Sequence, residues 1–166
     1  MPDNSLFSLD FPFTGIAVLT LDDPQKSVNV LSRSALNSLQ QHLDTLEARD
    51  DISGLIFRSK KQGNFIAGAD LTEFVADIDQ PADKIAAFAR QGQQLFGRLA
   101  KCPFVTIAAI DGLCVGGGSE LAIWCDRRIM ARNEKTSFGF PEVKLGLFPG
   151  WGGTARTPRI VGLSNA

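Results

Sequence analysis

Apolar residues along the chain switch between two spacings. Ile16 to Leu21 (IAVLTL) is a short β-forming run after a turn at Thr14-Gly15. Further on, Leu36, Leu39, Leu43 and Leu46 recur three and four residues apart, which predicts one helical stripe, and Ser32 stands where its cap belongs. Gly54 to Arg58 (GLIFR) reads as a buried strand. Pro81 opens a second helical pattern with Ile85, Phe88, Ala89, Leu95, Phe96 and Leu99 on one face, and Pro103 ends it. Val105 to Ile110 (VTIAAI) and Arg128 to Arg132 (RIMAR) are further predicted strands. Alternation of this kind argues for an α/β domain with crossover helices. No internal repeat or low-complexity segment interrupts it. Gly162 to Ala166 (GLSNA) reads as the start of a helix, so a longer chain is expected to continue from here.

Composition narrows the function classes. The 166 residues suffice for one domain with its own core. With 17 basic and 18 acidic side chains the formal net charge is -1, which offers no electrostatic case for nucleic acid or an anionic membrane. No apolar run approaches the roughly 18 residues of a membrane span. Met1 to Asp10 lacks the basic segment and apolar core of a signal peptide. Cys102, Cys114 and Cys125 are odd in number, form no C-x-x-C pair and sit in or beside apolar stretches, so they read as reduced, buried thiols. His42 is the one histidine and tyrosine is absent, which leaves acid/base work to carboxylates.

Two glycine-containing segments are candidates for chemistry. In Asn64 to Leu71 (NFIAGADL), Gly68 permits a turn and Asp70 can cap a short helix behind it; by itself the segment is also a plain strand-to-helix turn. In Asp111 to Cys125 (DGLCVGGGSELAIWC), Gly116 to Gly118 join a strand to a helix expected to begin near Ser119. Free N–H groups at such a helix start favour negative charge, either a bound anion or an oxyanion that develops during reaction. There is no G-x-G-x-x-G and no Gly-Lys-Ser/Thr, so neither a dinucleotide site nor a P-loop is supported. Ser119 does not lie in G-x-S-x-G.

Glu120 falls in the first turn after the glycines, where a carboxylate complements the helix dipole. Its neighbours Leu121, Ala122 and Ile123 are apolar, which points to a buried edge, and a buried carboxylate needs partners or a task. Glu142 lies between Pro141 and Val143; alone it reads equally as an exposed loop charge or a partner for Lys144. Two carboxylates in one apolar pocket resist double ionisation and supply an acid and a base near neutral pH. Spacing alone does not bring them together.

The segments KSVNVL (Lys26–Leu31), NFIAGADL, AIDGLCVGGGSELAIWCD and FGFPEVKLGLFPGWGGTARTPRIVG (Phe138–Gly162) resemble, in order, the crotonase (enoyl-CoA hydratase/isomerase) superfamily. Within it they most resemble the branch formed by the N-terminal part of the multifunctional fatty-acid oxidation complex α-subunit. The resemblance implies a crotonase-type ββα spiral of the ClpP/crotonase kind. Residues 1–166 would form the N-terminal portion of an enoyl-CoA hydratase/isomerase domain, with its C-terminal helical part missing. It implies that Glu120 and Glu142 are the catalytic pair and that the Ala69 and Gly117 N–H groups form an oxyanion hole. Ser27, Val28, Ala67, Asp70, Leu71, Gly116, Pro141 and Gly150 would contact substrate, with the Ala67 carbonyl near the adenine. The implied reaction is reversible hydration of trans-2-enoyl-CoA in fatty-acid β-oxidation, with Δ3-Δ2 isomerase activity beside it. It requires no metal and no cofactor beyond the coenzyme A of the acyl-CoA thioester substrate. A trimer-type homo-oligomer, or a complex with a thiolase subunit in a bacterial-type cytoplasm rather than a mitochondrial matrix, follows from the same resemblance. Trp151 and Ala155 depart from the family's usual smaller residue and glutamine, and Trp151 is expected to reshape the acyl pocket. Competing readings are another crotonase-fold thioester enzyme and a non-catalytic acyl-CoA-binding or assembly module.

Overall fold

The computed structural model describes residues 6–166. Met1 to Ser5 of the N-terminal segment lie outside the described residues. Among the described residues eight strands form two sheets. The larger has the order β1 (Phe7–Phe13), β2 (Ile16–Leu21), β3 (Gly54–Ser59), β5 (Val105–Ile110), β7 (Arg127–Met130). The smaller has β4 (Asn64–Ala67), β6 (Leu113–Val115), β8 (Ser137–Gly139). β1 and β2 are an antiparallel pair; all other pairings are parallel.

From β3 onward the chain repeats one move. It places a strand in the large sheet, then one in the small sheet, and then turns into a helix. β3 and β4 lead to α2 (Leu71–Ala76) and α3 (Ala82–Leu99), and β5 and β6 to α4 (Gly117–Trp124). β7 and β8 lead to a 3-10 turn at Pro141–Leu145 and then α5 (Gly153–Val161). This is the expected ββα spiral. α1 (Arg33–Glu47) lies between β2 and β3, capped by the Ser32 side chain on the Ala35 N–H, and buries Leu36, Leu39, Leu43 and Leu46. One continuous apolar core joins that stripe to Leu19, Leu55, Phe57, Phe65, Phe96 and Leu121.

Several boundaries differ from expectation. α4 begins at Gly117, not Ser119, because the reversal is completed at Gly116, whose φ of +52° suits glycine. Gly162 to Ala166 hold only a 3-10 turn at Leu163–Asn165, since Gly162 at φ +83° ends α5 just before it. The predicted strand at Arg128–Arg132 is displaced by a residue and ends at Met130. On α3, Leu95, Phe96 and Leu99 enter the core, while Ile85, Phe88 and Ala89 line a cavity instead. The three cysteines are free, and burial raises the Cys102 and Cys114 thiols to about 11 and about 12.

Candidate active site

The small sheet is parallel, so its three strands end together, and each end delivers a part of the site. After β4 the chain passes through Gly68 to Ala69, which bridges to Leu31, and then into α2. After β6 comes Gly116, whose N–H donates to the Gly139 carbonyl at the end of β8 (3.0 Å), and then the first turn of α4. After β8 comes Pro141-Glu142 on its 3-10 turn. Ser119 pins this arrangement: its hydroxyl donates to the Cys114 carbonyl (2.8 Å) and accepts from the Gly139 N–H (3.3 Å).

These ends border one apolar cavity of about 700 Å³. Ala67, Ala69, Leu71, Gly116, Gly117, Glu120, Pro141, Glu142 and Gly150 all line it, so the structure assembles nine of the twelve residues singled out above. Gly117 lies beside the Ala69 amide: a Cβ placed on Gly117 would sit 3.4 Å from the Ala69 nitrogen. Neither N–H donates to a group among the described residues. Gly117 is the first residue of α4, where the geometry of a helix leaves the donor unpaired. Two adjacent unspent donors at the wall of an apolar cavity are suited to an oxyanion.

Glu120 is 3% exposed. Its Oε1 accepts from the Trp151 N–H (2.7 Å) and the Gly153 N–H (2.9 Å), which fixes the carboxylate against the segment that opens α5. Burial raises its pKa to about 7, the two N–H groups pull in the other direction, and the Glu142 charge adds to the rise. Desolvation therefore outweighs two good hydrogen bonds here. Glu142 is also pushed above the ordinary carboxylate range by burial. Its Oε2 is buried with no hydrogen-bond partner among the described residues, and no ion pair to Lys144 is formed there. The loop-charge and Lys144 readings of Glu142 give way to a carboxylate that faces the same cavity as Glu120.

The remaining three candidates lie outside this cavity. Asp70 caps α2 by accepting from the Thr72 N–H (2.9 Å) and forms an ion pair with Lys26, which holds its carboxyl below the usual range. It borders a neighbouring cavity of about 340 Å³ rather than the main one. Ser27 and Val28 are exposed and line neither cavity, but the Lys26–Asp70 pair and an Ala67 N–H bond to the Asn29 carbonyl (2.8 Å) hold their segment beside both. His42 lies on α1, its Nε2 2.9 Å from the Phe7 carbonyl, and takes no part in either cavity. What sequence reasoning missed is the support for Glu120: the Trp151 and Gly153 amides, offered by the glycine-rich PGWGG stretch before α5.

Residues 13–166 match the family model for enoyl-CoA hydratase/isomerase. The chain belongs to that family. It is 45% identical over 164 residues to the fatty acid oxidation complex subunit alpha of Vibrio cholerae, covering 98% of this chain and 23% of that protein. The corresponding subunit of Aliivibrio fischeri is 44% identical, with 98% and 24% covered. Among solved structures, an enoyl-CoA hydratase from Bacillus anthracis superposes with a TM-score of 0.85 at 30% identity, covering 96% of this chain and 60% of that one. DspI of Pseudomonas aeruginosa gives 0.86 at 32% identity, with 99% and 64% covered. The chain thus spans about a quarter of the length of these curated relatives and about three fifths of these solved ones. No helix among the described residues is long and apolar enough to cross a membrane.

Proposed function

We propose that this chain carries the site that adds water reversibly across the double bond of trans-2-enoyl-CoA thioesters in fatty-acid β-oxidation. The observation that supports this most is the pairing of Glu120 and Glu142, both raised by burial, on one apolar cavity beside two unspent backbone donors. The thioester oxygen accepts from Ala69 and Gly117, which draws electron density from the β-carbon. Glu120, ionised and held through Oε1, takes a proton from water as the oxygen bonds to that carbon. The electron pair of the double bond moves to the thioester oxygen. It returns as the α-carbon takes a proton from the carboxyl of Glu142, whose pKa burial raises. Removing one donor from such an oxyanion site typically costs about 3 kcal/mol of barrier.

Isomerisation of a Δ3 to a Δ2 double bond needs the same donors and one carboxylate, which moves a proton from the α- to the γ-carbon. Every step is a proton transfer or addition of water, so the chemistry calls for no metal and no redox group; coenzyme A enters with the substrate. We place the rims around Ala67, Leu71 and Ser27-Val28 along the coenzyme A part. The whole protein would work in the cytoplasm as a trimer-type oligomer or beside a thiolase subunit, as the complex named in its relatives suggests.

The test is hydration of crotonyl-CoA by the intact protein, followed as loss of the enoyl-thioester absorbance. Glu142→Gln is expected to lower turnover by about 10²–10⁴-fold while thioester binding survives. A wild-type protein that binds the thioester and never hydrates it would instead support the acyl-CoA-binding reading.

A further inference from the structure

One large side chain forms part of the cavity wall. Trp151 is buried, and its indole is wedged between α3 and α4 at two positions that lack a side chain. A Cβ on Gly92 of α3 would lie 2.4 Å from the indole Nε1, and one on Gly117 of α4 would lie 2.6 Å from Cζ3. Phe88 and Phe96 press their edges against the ring, with centroids 5.7 and 5.5 Å away. The backbone is held as firmly: its carbonyl accepts from the Trp124 Nε1–H (2.7 Å) and its N–H binds Glu120.

This wedge borders the same cavity as the proposed oxyanion donor and Glu120. The proposed oxyanion donor is Gly117, and Glu120 stands three residues further along the same helix. A chain that leaves the carbonyl at Gly117 and passes the Glu120 carboxylate runs toward the Trp151 backbone that holds it. Phe88, Ala89 and Gln93 line the cavity there together with the indole. Without the indole the space between α3 and α4 opens toward Phe96 and the core; with it, the tail meets an aromatic wall.

We propose that the Trp151 indole, seated against Gly92 and Gly117, is the floor of the acyl site and sets the chain length this protein accepts. The inference rests on the thioester reading and adds the residue that selects among thioesters. The Trp151 indole offers the substrate an apolar ring that takes no proton and stabilises no charge, so its side chain acts as a specificity residue. Its effect appears in discrimination between chain lengths rather than in turnover of all of them.

The experiment is calorimetric titration of the intact protein with saturated butyryl-CoA and dodecanoyl-CoA, which cannot react and so report binding alone. In Trp151→Leu the dodecanoyl-to-butyryl affinity ratio is expected to rise at least about tenfold over wild type, the scale at which a hydrophobic pocket resolves added methylenes. Trp151→Phe keeps a ring between Phe88 and Phe96 and is expected to move the ratio the same way by a smaller factor. A ratio that stays within about twofold of wild type in a folded Trp151→Leu protein, or that does not rise at all in Trp151→Phe, overturns the floor role and leaves the thioester reading intact. If the wild type binds neither thioester, the thioester reading fails and the floor role falls with it.

Discussion

Glu120 shows how a single buried group couples stability to pH. Its pKa in the folded chain is about 7, against an ordinary value of 4.5. The folded state therefore holds a proton that the unfolded state has released between those two pH values, and stability falls as pH rises through that window. The loss amounts to about 3 kcal/mol once pH exceeds 7. Glu120→Gln, whose carbonyl can still accept from Trp151 and Gly153, is expected to flatten this decline; chemical denaturation at pH 5 and pH 8 measures it. Gly116 is the second decisive residue. Its φ is +52°, and an added Cβ would come within 3.1 Å of the Glu142 Oε1. Gly116→Ala is expected to cost about 1–2 kcal/mol in thermal melts and to reduce hydration further by displacing Glu142. At this scale the sequence was partly legible. The apolar run Leu121-Ala122-Ile123 gave away the burial of Glu120. Nothing near Glu142 did so, because its burial comes from elements distant in the chain.

Among the elements, local rules held where local chemistry decides. Ser32 and Asp70 both cap the helices that their positions predicted. Asp70→Ala removes the cap of α2 and the Lys26 pair. The expected result is about 1 kcal/mol of lost stability and faster hydrogen exchange confined largely to Leu71–Ala76. Exchange that leaves this helix unchanged would show that Asp70 does not hold it. The small sheet was harder to read. β4, β6 and β8 are three or four residues long, too short for an alternation of apolar and polar positions to appear. β1 does alternate through Phe7, Leu9 and Phe11, and Pro12 obscures it; as an edge strand it tolerates the missing donor. α3 carries a legible stripe whose two halves have different tasks, one in the core and one on the cavity. Periodicity names an apolar face but not what the face meets.

Across the whole molecule, the two sheets are joined by Asn29, which is fully buried. Its amide donates to the Leu21 carbonyl (2.8 Å) and the Ser59 hydroxyl (2.9 Å) and accepts from the Asp23 N–H (2.9 Å), while its own N–H reaches Asn64 at the start of β4 (2.6 Å). Asn29→Ala takes this partner from the Leu21 carbonyl, the Ser59 hydroxyl and the Asp23 N–H while keeping the backbone bond to Asn64, and is expected to cost about 3 kcal/mol in urea unfolding. By itself the sequence determined the α/β class, the main helices and long strands, and the family, since these rest on short-range periodicity and on motifs written in consecutive residues. It also supplied the two glutamates, but left them as a helix-start charge and a loop charge. Only the tertiary structure set them on one cavity, because the parallel small sheet ends three distant segments at the same place. Only that packing desolvates both carboxylates, lifting Glu120 to about 7 and Glu142 above the ordinary carboxylate range.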